Sequence, residues 1–160
     1  QPYQFDFYQG GGLDIAFLGL AQTDMHGNVN VSKFGPKIAG CGGFIDITQT
    51  AKKVVYCGTF TAKGLKIECA DGKLNIVNEG AIVKFVSDVE QITFSGGHAM
   101  KQNQPVLYIT ERAVFELTSG GMVLIEIAPG VDLSKDVLAN MDFEPMISGN
   151  LKLMDSGLFI

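Results

Sequence analysis

The chain has 160 residues, 46% of them hydrophobic and only 18% charged, with a formal charge of -5. That balance suits one folded domain with a sizeable core, or with a face covered by a partner, and speaks against disorder. Twelve basic residues against seventeen acidic, with no cluster denser than Lys52-Lys53, leave no positive footprint for nucleic acid.

A phosphorylated cofactor stays possible, because backbone amides hold phosphate without net positive charge. Cys41, Cys57 and Cys69 make no disulfide framework and fit a reducing compartment. No apolar run approaches the roughly 18 residues of a spanning helix, so no membrane partner is expected. The opening Gln1-Pro2-Tyr3 has neither an initiator methionine nor a basic segment leading into an apolar one. It reads as the cut edge of a longer protein.

Phe5, Phe7 and Tyr8 lead into Gly10-Gly11-Gly12, and 13–20 reads as a largely buried strand. Asp24, Gly27 and Asn28 mark a turn, and Val29-Asn30-Val31 alternates as a second strand, pairing with the first as a hairpin. Residues 35–43 (GPKIAGCGG) hold four glycines and a proline in nine positions, so tight turns or a close approach to the backbone are expected there. A short helix over 44–51 opens on those glycines, and 53–60 reads as a core strand. This places the glycine loop between a strand and a helix, where α/β folds commonly bind ligands.

From Leu65 the pattern is antiparallel. Residues 65–69, the turn Asp71-Gly72 and residues 73–77 predict a hairpin. Short strands are expected at 82–86 and 91–94, and loops at 96–98 and 101–104. Strands follow at 106–110, 113–117 and 122–127. A helix is predicted over 133–140 with Asp132 as N-cap, and Leu133, Val137 and Met141 facing the sheet. The tail, 142–147 and 151–154, has no assignment. These elements describe one strand-rich α/β domain, residues 1–160, with a mixed sheet flanked by helices.

The glycine loop is the strongest site candidate. Amides around Gly42 and Gly43, ahead of a helix start, suit a phosphate or a developing oxyanion, while packing alone would also account for a tight turn. The run matches neither the dinucleotide fingerprint nor a P-loop. Cys41 as a nucleophile would need His26 or His98 as base, and neither shows a pairing; a small buried thiol is the simpler reading. No two of the cysteines and histidines come closer than twelve positions, so no metal site is expected. Glu111, Glu116 and Glu126 lie in or beside strands, where solvated or ion-paired roles are usual, and Glu111-Arg112 invites a structural pairing. Asp46, three residues after Gly43, is placed to cap local amides.

The stretch FDFYQGGGLDIAFLGLAQTDMHGNVNVSKFG, then IAGCGGFIDITQTAKKVVYCGTFTAKG, YITERAVFEL, LIEIAPGVDLSKDVLANMDFEP and LKLMD, resembles in order the carboxy-terminal, beta-type part of family I coenzyme A transferases. The nearer likeness is to the fused-chain group that includes acetate/3-ketoacid and propionate CoA transferases. It covers nearly all of the chain and implies the CoA transferase (NagB/RpiA-like) architecture.

The resemblance implies reversible transfer of CoA between a short-chain acyl-CoA and a free carboxylic acid. A family glutamate carries the CoA as a thioester, and CoA is a substrate, with no permanently bound cofactor. Oxyanion or substrate contacts then fall on Gly42 and Gly43, with Gly40 and Cys41 shaping the approach of CoA. The Glu-x-Gly motif that supplies the nucleophile lies upstream of this segment in the family, and Glu79-Gly80 lacks that motif's context. Also implied are a missing amino-terminal domain, a homo-oligomer and a cytoplasmic location. Alternatives are a non-catalytic CoA-binding or assembly domain, and an acyl-CoA hydrolase of the same family.

Overall fold

Six strands form the central sheet of the computed structural model, which describes residues 2–160. They are β1 (Ala16–Gly19), β2 (Val54–Cys57), β3 (Val106–Ile109), β4 (Ala113–Thr118), β5 (Gly121–Ile127) and β6 (Met146–Leu153), side by side in chain order. β1, β2 and β3 run parallel, β3 to β5 alternate antiparallel, and β6 returns parallel to β5. Parallel neighbours need long crossovers and antiparallel ones only turns. The sequence supplies both, long segments before β2 and β3 and tight turns around β4. The sheet is mixed, as expected.

Three short helices accompany it: α1 (Pro2–Gln9), α2 (Phe44–Thr50) and α3 (Gly96–Lys101). The core is centred on β2, where Val54, Val55 and Tyr56 are buried. The Tyr56 ring lies 5.8 Å from Phe44, 5.4 Å from Phe94 and 5.3 Å from Tyr108. This aromatic stack ties the first turn of α2 to the middle of the sheet. At the other end of α2, the buried Gln104 amide donates to the carbonyls of Thr48 (2.8 Å) and Ala51 (2.6 Å). Both ends of a helix too short to stand alone are thus fixed by tertiary contacts.

Several elements differ from expectation. The strand predicted over 13–20 shortens to β1, whose Phe17 is 66% exposed because an edge strand is covered on one face only. Val29–Asn30 pairs with Gln22–Thr23, not with β1. The Asp24 carboxylate explains this: it accepts from the amides of His26 (3.0 Å) and Asn28 (3.1 Å) and closes the turn at once.

Residues 91–94 form no strand beyond a bridge between Val29 and Phe94, and 82–86 splits into the short strand Ile82–Val83, paired with Thr61–Ala62, and a parallel bridge between Phe85 and Thr23. The loop expected at 96–98 is helix α3, which ends at Lys101, while 102–104 is loop as expected. Ser95 caps it by accepting from the His98 amide, and glycine is required at 96, where a Cβ would stand 2.1 Å from the His26 carbonyl oxygen.

The 66–78 hairpin forms as predicted, with Asp71 (φ 53°) and Gly72 (φ 73°) both left-handed at its turn. The 133–140 helix is a π turn, Leu133–Val137, followed by a 3-10 turn, Leu138–Asn140, with Asp132 accepting from the Lys135 amide. Val137 is buried, and Leu133 and Met141 pack on the core as expected. The unassigned tail supplies β6.

Candidate functional site

The glycine loop is built on a buried asparagine. Asn30 has no solvent exposure, and its side chain accepts from the amides of Ser32 (3.0 Å) and Lys33 (3.2 Å) while donating to Gln22 Oε1 (2.6 Å) and the Lys33 carbonyl (2.7 Å). That satisfies both ends of the amide, as a buried polar group requires. The turn it organises presents the Ser32 carbonyl to the amides of Ala39 (2.8 Å) and Gly40 (3.1 Å). The Ser32 hydroxyl is 2.7 Å from that of Thr93, which also takes the Val31 amide. A short hairpin, Lys33–Phe34 against Lys37–Ile38, spans the interval. The loop is held at Gly40 and again at Phe44, leaving residues 41–43 between two fixed points.

Gly40 (φ 81°) and Gly42 (φ 53°) are left-handed and exposed, and Gly43 (φ -86°) is the N-cap of α2. The Phe44 amide is taken by the Cys41 carbonyl at 3.0 Å. Among the described residues nothing accepts from the amides of Cys41, Gly42 or Gly43. Gly40 and Cys41 line a cleft of about 290 Å³ with Ser32, Lys33, Ile45 and Thr93. Of the four glycine-loop residues, Gly40 and Cys41 thus line the cleft, while Gly42 and Gly43 follow them as unused backbone donors ahead of a helix.

Other candidates fall into bland roles. Cys41 is half-buried against the core and receives no hydrogen bond from His26 or His98. Cys57 and Cys69 are exposed. Asp46 caps no amide: it sits in the first turn of α2, where its charge suits the positive helix end, but its carboxylate takes the Gln9 side chain at 2.7 Å. That contact and a hydrogen bond from Thr50 to the Tyr8 carbonyl clasp α1 onto α2. Among the described residues no group of three or more His, Cys, Asp or Glu side chains is placed to hold a metal ion, and no helix is long and apolar enough to cross a membrane.

One charged cluster is much more extensive than the sequence suggested. Arg112, between β3 and β4, has a fully buried side chain. It pairs with Glu111 at 2.7 Å, as anticipated, and also with Glu79 at 2.6 Å, donates to the Asp136 carbonyl at 2.9 Å, and lies 4.9 Å from the Phe60 ring centre. Glu111 accepts from the Phe60 amide, and the buried Lys84 ammonium donates to the Thr59 carbonyl at 2.7 Å. Burial depresses the Lys84 pKa, with Glu111 opposing. Burial also works against the Arg112 charge, but hydrogen bonds and charge from Glu79 and Glu111 outweigh it and raise its pKa.

Burial alone would raise the Glu79 carboxyl; hydrogen bonds from Arg112, Thr61 and the Gly80 amide, with the guanidinium charge, instead hold it below its ordinary value. A carboxylate so fully engaged is a tether for the 61–83 segment, and a poor nucleophile. Because its folded pKa is depressed, Glu79 stabilises the fold above its unfolded pKa, and that contribution fades as pH falls through the folded value. Urea unfolding at a series of pH values below about 5 should therefore show a shallower acid loss for Glu79→Gln than for the parent. Equal slopes would remove Glu79 from the acid sensitivity of the fold.

No family model matches the chain. Individual proteins do. Acetate CoA-transferase YdiF of Escherichia coli O157:H7 is 61% identical over 157 residues, which are 98% of this chain and 30% of that protein. Caffeate CoA-transferase of Acetobacterium woodii is 56% identical over 160 residues, 97% of this chain and 30% of that one. The solved structure of acyl-CoA transferase YdiF from E. coli O157:H7, in a thioester complex with CoA, matches with a TM-score of 0.96 at 61% identity, covering 99% of this chain and 31% of that chain.

The mixed sheet and its helices are thus those of a CoA transferase. The chain belongs to family I of these enzymes, matching their carboxy-terminal, beta-type part, and spans about 30% of the length of the fused relatives.

Proposed function

We propose that this chain is the glycine-loop half of an enzyme that moves coenzyme A between a short-chain acyl-CoA and a free carboxylic acid. The observation that carries the reading is the group of amides at Cys41, Gly42 and Gly43 without an acceptor among the described residues, in a loop whose Gly40 and Cys41 line a cleft. The likeness to YdiF, whose structure holds a CoA thioester, supports it. Residues 1–160 act as one domain beside an amino-terminal CoA transferase domain, and the nucleophilic glutamate comes from the sequence preceding this segment.

In the first step that carboxylate attacks the thioester carbonyl and CoA leaves as thiolate, giving an acyl-glutamyl anhydride. The thiolate then attacks the glutamyl carbonyl and expels the donor's acyl group as a free carboxylate, leaving a glutamyl-CoA thioester. The acceptor acid takes the CoA by the same steps in reverse. Each step puts negative charge on a carbonyl oxygen, and we assign its stabilisation to hydrogen bonds donated by the Gly42 and Gly43 amides. Dividing the exchange into covalent steps conserves the thioester's free energy.

The reading is tested by assaying acyl-CoA and acetate with the 160-residue chain alone and with the longer enzyme that carries it, both free of host transferases. The longer enzyme is expected to transfer CoA and the isolated chain to give none. Transfer by the isolated chain would overturn the division of labour, and CoA release without an acceptor acid would make the enzyme a hydrolase.

A further inference from the structure

The chain enters the glycine loop through the hairpin 33–38, and that hairpin has little to hold itself. Only two residue pairs, Lys33 with Ile38 and Phe34 with Lys37, join its strands, and so short a hairpin is not stable by itself in water. Residues 35–40 are exposed. Among the described residues, one hydrogen bond reaches 34–38 from outside the hairpin: the Glu90 carboxylate accepts from the Gly35 amide at 2.5 Å. A carboxylate on a backbone amide is among the stronger bonds of its kind.

Glu90 can serve as a fixed point because its own segment is anchored. Its other carboxylate oxygen accepts from the Gln22 side-chain amide at 3.3 Å, and its backbone amide donates to Gln22 Oε1, also at 3.3 Å. The same Gln22 oxygen takes the buried Asn30. Three residues beyond Glu90, the Thr93 hydroxyl meets that of Ser32 at the base of the hairpin. Phe94 then bridges to Val29 and sets its ring against Tyr56 in the core. Residues 90–94 thus grip the hairpin at base and tip and tie both grips to the centre of the sheet.

Building on the transferase reading, we infer that Glu90 is a positioning residue for CoA transfer. It lines no part of the cleft and acts through the hairpin. Ile38 is followed directly by Ala39 and Gly40, so the tilt of the hairpin sets the direction from which the chain enters 41–43. Releasing the tip keeps the Asn30 and Ser32 contacts at the base but lets 35–39 swing. The Gly42 and Gly43 amides then lose their alignment with a reacting carbonyl oxygen. Displaced donors stabilise the developing charge less, although no substrate contact is removed, so the loss falls on kcat.

Glu90→Ala and Glu90→Gln in the longer enzyme test this. Alanine removes both carboxylate bonds, whereas glutamine keeps one acceptor oxygen and turns the other into a donor. In Glu90→Ala kcat should fall roughly tenfold, short of the hundredfold that a misplacement of about 1 Å can cause. Glu90→Gln should lose less, with the acyl-CoA KM nearly unchanged in both. Glu90 is exposed, so the urea midpoint should stay close to the parent's. Hydrogen exchange over 35–43 should quicken in Glu90→Ala. A parent-like kcat in Glu90→Ala, a KM that rises while kcat holds, or a kcat loss that only follows global destabilisation would each overturn the positioning role. Absence of transfer by the parent enzyme would overturn the transferase reading instead, whereas unchanged exchange over 35–43 in Glu90→Ala would overturn the Glu90 tie whatever the activity.

Discussion

Arg112→Met should destabilise the fold by about 3–5 kcal/mol, the usual result of removing one partner from a buried ion pair. Arg112 is buried, whereas the side chains of Glu111 and Glu79 keep 12% and 31% of their exposure. Methionine fills much of the volume but leaves Glu111 nearly enclosed with only the Lys84 charge nearby, and the Asp136 carbonyl without its donor. Glu79 can turn partly to water, so its share is the smaller.

Urea denaturation of the variant, set beside Arg112→Met/Glu111→Gln, separates the causes. If the loss of Arg112 as partner to the Glu111 charge dominates, the second change restores part of the lost stability. A single variant within about 1 kcal/mol of the parent would show that packing over Phe60, and not charge, holds this corner.

The same corner shows why some of the structure was legible in the sequence. Glu111 and Arg112 are neighbours, so their pairing could be anticipated. Glu79 stands 33 positions from Arg112, and only the folded path of the 61–83 segment brings it there. The 66–78 hairpin was legible because an Asp-Gly pair supplies two adjacent left-handed residues without help from the rest of the chain. Helix α3 was not: Gly96-Gly97 opposes helix formation locally, and the requirement for glycine comes from His26, 70 positions earlier in the chain by number.

β6 was hidden because its pairing with β5 shifts register between Leu124 and Glu126, which breaks the alternation that would reveal it. For the site, four glycines in nine residues located the loop.

In the longer enzyme, Gly42→Val should lower kcat by about 10²–10³ while leaving the fold largely intact, the scale seen when one oxyanion donor is lost. The space around Gly42 is open, with nothing within 4 Å of an added Cβ, so side-chain crowding is not the cause. The cause is the backbone. At φ 53° a β-branched residue is a steric outlier, and the loop will rotate to relieve it, turning the adjoining amides away from the cleft.

Asparagine tolerates the left-handed region far better than alanine or valine. Activity should therefore fall in the order glycine, asparagine, alanine, valine, with the acyl-CoA KM changing less than kcat. A series graded by side-chain size and not by left-handed tolerance would point to steric exclusion of substrate. Equal activity in all four would remove the Gly42 conformation from the chemistry and leave the glycine loop a packing turn, with Phe44 stacked on Tyr56 as its main consequence.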